Sequence, residues 1–309
     1  MPKPSVVTPK KNKARTFFAS LCGTIAISLI LSSLFMVWLN RTLTNTDTYV
    51  KTVAPLATKP EIQTFIAQKT SESFVNSGTV TDLANSLLPS SQASGLAVDQ
   101  LKPLIQTVID TNVLKVVQSP EFAKLWTNTN RTAHASIVKQ LDSNTPGLQI
   151  DLQPMLEGVL IQLKATQLAP FVDQVDIKPN TAVISLNNSG IDQVHKYYNN
   201  ITAATWLIVV LSVIFLVLAV VLSTNHAKTF RRTMFGTGIL SLLFGLSIIA
   251  TPYINLGNNV DQTTKQAIVV FAQTILHGLQ TSSLVLGVAC IVAALVSKLI
   301  SLQTAKKTS

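Results

Sequence analysis

The stretch AATWLIVVLSVIFLVLAVVL, positions 203–222, contains no ionisable residue, no glycine and no proline. A helix rises about 1.5 Å per residue, so a run of this length crosses the roughly 30 Å hydrocarbon core of a bilayer. Three further apolar runs of comparable kind lie at 17–39, 234–250 and 282–302. Their spacing predicts the fold class: mainly α, with four transmembrane helices arranged one plus three. The long interval between the first and second runs predicts a separate domain of mostly helical character at 40–201.

The totals agree. Only 12% of residues are charged, against about 25% in an average soluble protein, and the mean hydropathy is +0.39. A basic stretch (Lys10, Lys11, Lys13, Arg15) precedes the first run. That run is longer than the apolar region of a cleaved signal peptide. It ends in Trp38, Leu39, Asn40 and Arg41, with no small-x-small cleavage site, so 17–39 reads as an uncleaved signal anchor.

The formal net charge of +10 raises the question of nucleic acid, and the position of the charges answers it. With the N-terminus inside, the inner segments are the basic tail 1–16, the loop 223–233 and the C-terminal end, including the tail 303–309. They hold eleven basic residues (Lys3, Lys10, Lys11, Lys13, Arg15, Lys228, Arg231, Arg232, Lys298, Lys306, Lys307) and no acidic one. The outer segments, 40–201 and 251–281, hold thirteen basic and fourteen acidic residues. The whole positive excess is then cytoplasmic, as the positive-inside rule requires. The expectation is a multi-pass protein of the plasma membrane with both termini cytoplasmic. Its basic end meets anionic head groups of the lipid bilayer rather than nucleic acid.

Within 40–201 the pattern is helical. Thr46 or Asp47 is placed to cap a helix carrying Tyr49, Val50, Val53 and Leu56. Lys59-Pro60-Glu61 opens a second helix with Ile62, Phe65, Ile66 and Phe74 inward. Val80, Leu83, Ala84 and Leu87 suggest a short third, and Pro89 with 90–95 a loop. Asp99 caps a longer helix with Leu101, Leu104, Ile105, Val108 and Ile109 inward. Ser119-Pro120-Glu121 is a strong start signal of hydroxyl cap, proline and first-turn carboxylate. Leu148, Ile150 and Leu152 alternate with polar residues, and 181–186 is rich in β-branched residues. These two segments could pair as a small two-stranded ribbon around a helix at 154–163. A helix capped by Ser189 runs without a break into 203–222, which would join the domain rigidly to the membrane. The segment 251–281 ends in an amphipathic stretch (Ile268, Phe271, Ala272, Ile275, Leu276, Leu279) expected at the interface or under the domain.

Several phrases resemble a family of actinobacterial-type integral membrane proteins with a large external domain. They are NTDTYV at 45–50 with TVAPLA at 52–57, FAKLW at 122–126, NRTAH at 130–134 and LQIDLQP at 148–154. The resemblance runs in order over most of the chain. It implies the one-plus-three architecture and the envelope location, and no established activity. This chain carries Thr, Ser, Asn and Gln where such proteins have more Ala, Asp and Arg.

Chemistry-bearing patterns are sparse. Trp126 and Asn130 stand one helical turn apart, as do Arg131 and His134, and this group is the candidate ligand-binding cluster. The competing account is a polar staple, with Asn130 and Arg131 bonding a neighbouring segment and His134 packed between helices. A metal site needs three or four converging ligands. The domain at 40–201 has only His134 and His195, with no HExxH or CxxC, so no metal is expected. The cysteines Cys22 and Cys290 lie in apolar runs and read as buried membrane-helix residues. Ser136-x-x-Lys139 matches one acyl-transfer motif without its SDN and KTG companions. Asp173 and Asp176 read as a solvated turn. Without GxSxG, GxGxxG or a P-loop, no catalytic residue and no cofactor are expected. Gly236, Gly238 and Gly245 suit close helix packing better than a transporter's broken helix. The functional expectation is a non-enzymatic, membrane-anchored envelope protein whose external domain binds another envelope protein or polymer, or senses. The alternatives are an accessory subunit of a transport or secretion complex and an envelope-acting enzyme.

Overall fold

The computed structural model describes residues 13–76, 95–143, 148–166, 168–172, 182–186, 189–250 and 260–307. Outside these lie the short helix expected near 80–87, the start of the 89–95 loop, and Asp173 and Asp176. In chain order the elements are α1 (Lys13–Thr44), α2 (Thr46–Val53), a 3-10 turn (Ala54–Thr58), α3 (Pro60–Asn76), α4 (Gly95–Val117) and α5 (Pro120–Asp142). There follow β1 (Leu148–Asp151), α6 (Gln153–Lys164), α7 (Ala169–Val172), β2 (Val183–Leu186), α8 (Ser189–Val221), α9 (His226–Ile249) and α10 (Gln262–Lys307). The mainly helical class and the small ribbon are both present. β1 and β2 pair antiparallel, Leu148 opposite Leu186 and Asp151 opposite Val183.

The chain divides into two compact units. The first comprises Met1–Asn40, Asn200–Ile249 and Gly278–Ser309; the second comprises Arg41–Asn199 and Ala250–His277. Parts of α1, α8, α9 and α10 form the first. Each of these four helices is long and apolar enough to cross a membrane, and the protein is a multi-pass membrane protein. Its outer surface is apolar, with Trp206, Leu207, Val213 and Val217 on α8, Leu243 and Leu246 on α9, and Val285, Val288 and Leu299 on α10 all exposed. Such a surface suits contact with lipid chains.

Small residues bring these helices together. A Cβ at Gly238 would stand 2.7 Å from Ile291 Cγ1 and 2.9 Å from the Gly287 carbonyl oxygen, and one at Gly287 would stand 2.7 Å from Leu242 Cγ. The backbones of α9 and α10 therefore touch where side chains are missing. One turn on, Ser241 Oγ donates to the Ser283 carbonyl at 2.7 Å, and Ser283 Oγ donates back to the Ser241 carbonyl at 2.6 Å. None of the three third-run glycines interrupts α9.

The unit has two distinguishable ends. At one, Arg15 donates from Nε to the Leu222 carbonyl at 2.8 Å and from Nη2 to the Val221 carbonyl at 3.2 Å. Its cation thereby satisfies the last carbonyls of α8, where the helix dipole is negative. At the same end Arg231 donates to Ser301 Oγ at 2.9 Å. At the other, Thr202 Oγ1 donates to Asn40 Oδ1 at 3.1 Å, and Trp38 lies against Gly278.

The second unit has a conventional apolar core. Phe122, at 1% exposure, packs among Ala57, Ala67, Ile109, Val113, Val117, Leu160 and Leu163. A neighbouring cluster joins Val53, Leu56 and Ile62 to Ala267 on α10. Ser119 caps α5 as its sequence requires, its Oγ accepting from Phe122 N at 3.1 Å.

Four local expectations are corrected. The cap of α2 is Asn45, not Thr46 or Asp47: its extended backbone aims Oδ1 at Thr48 N, 2.8 Å away. Helix α4 starts at Gly95 rather than at Asp99, because Leu96 and Ala97 are good helix formers and extend it backwards. On α4, Val108 is 42% exposed, whereas Ile109 is buried as expected and is followed inward by Asn112, Val113, Val116 and Val117; the side chains of Leu101, Leu104 and Ile105 lie outside the described residues. On α10, Ile268 and Phe271 of the expected stretch are exposed, while its Ile275 is partly buried and its Leu279 buried, with Ala267 and Val270 also packed inward. The amphipathic stretch and the fourth apolar run also form one unbroken helix.

Candidate functional site

The candidate cluster lies on α5 of the second unit, and each of its members reaches α2. Trp126 Nε1 donates to the Val53 carbonyl at 3.1 Å. Asn130 Nδ2 donates back along its own helix to the Trp126 carbonyl at 2.8 Å, which leaves Asn130 Oδ1 to accept from Tyr49 Oη at 3.3 Å. Arg131 Nη1 pairs with Asp47 Oδ1. His134 stacks on Tyr49, with ring centroids 4.2 Å apart and planes 19° from parallel. Its Nδ1 lies 3.1 Å from Thr46 Oγ1.

Helical periodicity accounts for the arrangement on both sides. Residues 126, 130 and 134 are spaced by four and share one face of α5. Residues 46, 49 and 53 share one face of α2, and Asn45 fixes where that face begins. Two of the phrases that carry the family resemblance, 45–50 and 130–134, thus form the two halves of one contact.

The electrostatics divide the cluster. Arg131 and Asp47 are both well exposed, and the guanidinium holds the Asp47 carboxyl below the ordinary carboxylate range. His134 is 7% exposed. Burial pushes its pKa below the ordinary imidazole value, and a backbone hydrogen bond with Thr42 opposes that shift. The structure brings Trp126, Asn130, Arg131 and His134 together and engages all four with α2, so the geometry acts as a latch between the two helices. The partners Thr46, Asp47 and Tyr49 are the contacts that a single-helix reading missed.

Elsewhere the acyl-transfer pattern has no support. Ser136 and Lys139 are exposed on α5, and Ser136 Oγ accepts from Gln140 Nε2 at 3.0 Å. Among the described residues no group of three or more His, Cys, Asp or Glu is placed to hold a metal ion. His195 is buried in α8, and His134 does not converge with it on any such group. Compared with models of protein families, with curated proteins and with solved structures, the chain matches none.

Proposed function

We propose that the protein is a non-enzymatic, membrane-anchored component of the cell envelope, with both termini cytoplasmic and the unit built from 41–199 and 250–277 outside as an interaction or sensing domain. The observation that carries this reading is the segregation of charge. All fourteen acidic residues belong to the second unit and none to the first, whose eleven basic residues include Arg15, Lys228, Arg231 and Arg232 at one end. Such an end is retained on the cytoplasmic side. The cluster around His134 holds α2 in place with its polar groups, so the interaction surface of this domain is sought elsewhere on it.

Surface labelling tests the reading. In a background with Cys22→Ser and Cys290→Ala, single cysteines replace Ser136, Lys228 and Ile161, all exposed positions. A membrane-impermeant maleimide on intact cells is expected to label position 136 and not position 228. Ile161, apolar yet 69% exposed, is the expected partner face. Position 161 should label in purified protein and be protected in cells. Labelling at 228 instead of 136 overturns the orientation, and equal labelling at 161 in both samples overturns a partner on that face.

A further inference from the structure

The first unit contains a cavity of about 360 Å³ at its basic end, walled by the start of α1 and by the 223–236 segment. Thr16, Ser20 and Thr24 follow one another at helical spacing along its α1 wall, and Ser223, Thr229 and Thr233 line the other. The lining also includes apolar side chains, Ala19, Ile27 and the half-exposed Phe235. Glycines shape the floor: a Cβ at Gly23 would stand 3.3 Å from Thr233 Oγ1, and one at Gly236 would stand 3.1 Å from Ile27 Cδ1.

Arg232 is the cation at this cavity. Arg15 is bonded to the end of α8 and Arg231 to Ser301, whereas the Arg232 side chain makes no hydrogen bond or ion pair among the described residues. The whole first unit offers it no carboxylate. A guanidinium beside a row of hydroxyls, with no internal counter-charge, matches a phosphate group: the fork supplies paired donors, and the hydroxyls donate to the remaining oxygens. A lining that holds both hydroxyl and apolar side chains, in a unit whose outer surface is apolar, suits a ligand with an anionic head and a hydrocarbon body.

We propose that this cavity binds the phosphate headgroup of an anionic phospholipid, with Arg232 as the recognition residue and Ser20 and Thr233 as hydroxyl donors, the Thr24 hydroxyl being bonded to the Ser20 carbonyl. The site is specific and differs from the general attraction of a basic tail to a charged bilayer, which every Lys and Arg at that end shares.

The test uses the full chain in detergent micelles. Native mass spectrometry titrates three probes: short-chain phosphatidylglycerol, phosphatidylcholine of the same chain length, and inorganic phosphate. The anionic lipid is expected to bind about tenfold more tightly than the zwitterionic one: both carry the phosphodiester that the guanidinium grips, but the choline group also brings a cation that Arg232 repels. Arg232→Gln should remove that preference, Arg232→Lys should keep part of it, and Lys228→Gln, whose residue is not in the cavity wall, should leave it whole. Ser20→Phe, which fills the cavity from an exposed position on α1, should block binding with Arg232 intact. Equal binding of the two lipids, or a preference that survives Arg232→Gln, overturns the proposal. Inorganic phosphate binding as tightly as the lipid overturns the lipid assignment. A folded far-UV spectrum for each variant makes a loss of binding attributable to the site. The result is independent of the maleimide experiment, because the cavity binds its ligand in micelles whichever side it faces in cells.

Discussion

The two units solve the same problem, holding helices together, by opposite means. In the second unit, large side chains do the work. Phe122, Leu160 and Leu163 leave water for a shared core, and removing apolar area from water is the driving force. In the first unit that force is absent between helices, since lipid is as apolar as leucine. What remains is close approach and hydrogen bonding: many large side chains face outward, while Gly238, Ser241, Gly245, Ser283 and Gly287 lie inside beside a few large ones such as Met234, Ile248 and Leu279. Burial therefore means different things in the two units. Inside the second the contiguous core is built of large apolar residues, whereas inside the first the glycines and the paired serines make the closest helix contacts.

The comparison can be broken at named positions. The largest effect is expected at Phe122→Ala, which empties the middle of the second unit's core and should cost about 3–5 kcal/mol in chemical unfolding. Next comes Gly238→Ala. Its new methyl would meet backbone at the Gly287 carbonyl rather than a flexible tip, so about 1–3 kcal/mol should be lost, read as thermal stability in detergent. An equal change at an exposed membrane position such as Leu243→Ala should be nearly neutral in the same assay. If Gly238→Ala were harmless and Leu243→Ala severe, the account of the first unit would fail. Ser119→Ala removes the cap of α5 and should cost about 1 kcal/mol.

The smallest effect is a pH dependence in the latch. The folded pKa of His134 is depressed below its unfolded value near 6.5. The unfolded chain therefore binds the proton more readily, and the contribution of His134 is complete above pH 6.5 and falls as pH drops below it. Unfolding midpoints measured at pH 7.5 and 5.5 should show this decline, and His134→Gln should flatten the part that belongs to the imidazole. Asp47 acts in the same direction at lower pH, since its carboxyl is also held down. Because that pair is exposed, Asp47→Asn should leave the midpoint at neutral pH unchanged.

What was legible in the sequence follows the range of the forces involved. Membrane runs, the Ser119-Pro120-Glu121 start and the β-branched 181–186 segment are local patterns, and the structure has a long helix, a cap and a strand at those places. The face that α10 buries was legible only in part: Ile275 and Leu279 were, but Ile268 and Phe271 are as apolar as Val270, and periodicity alone admits both phases. The choice of Asn45 over Thr46 turned on one backbone conformation. Least legible were contacts between distant positions. Asn130 shows its helical neighbours in the sequence but not Tyr49, 81 residues away. The Arg232 cavity has walls about 200 residues apart in the chain, so neither wall alone signals it.

The missing carboxylates of the first unit have an electrical consequence. A membrane potential acts on net charge, at about 2.3 kcal/mol for each elementary charge moved across 100 mV. With eleven cations and no anion to offset them, in the orientation proposed above an inside-negative cell pulls on this unit in a single sense. Each added or lost lysine alters the strength of that pull without reversing it. The orientation is therefore held redundantly by the field, and no single substitution among the eleven should invert the protein.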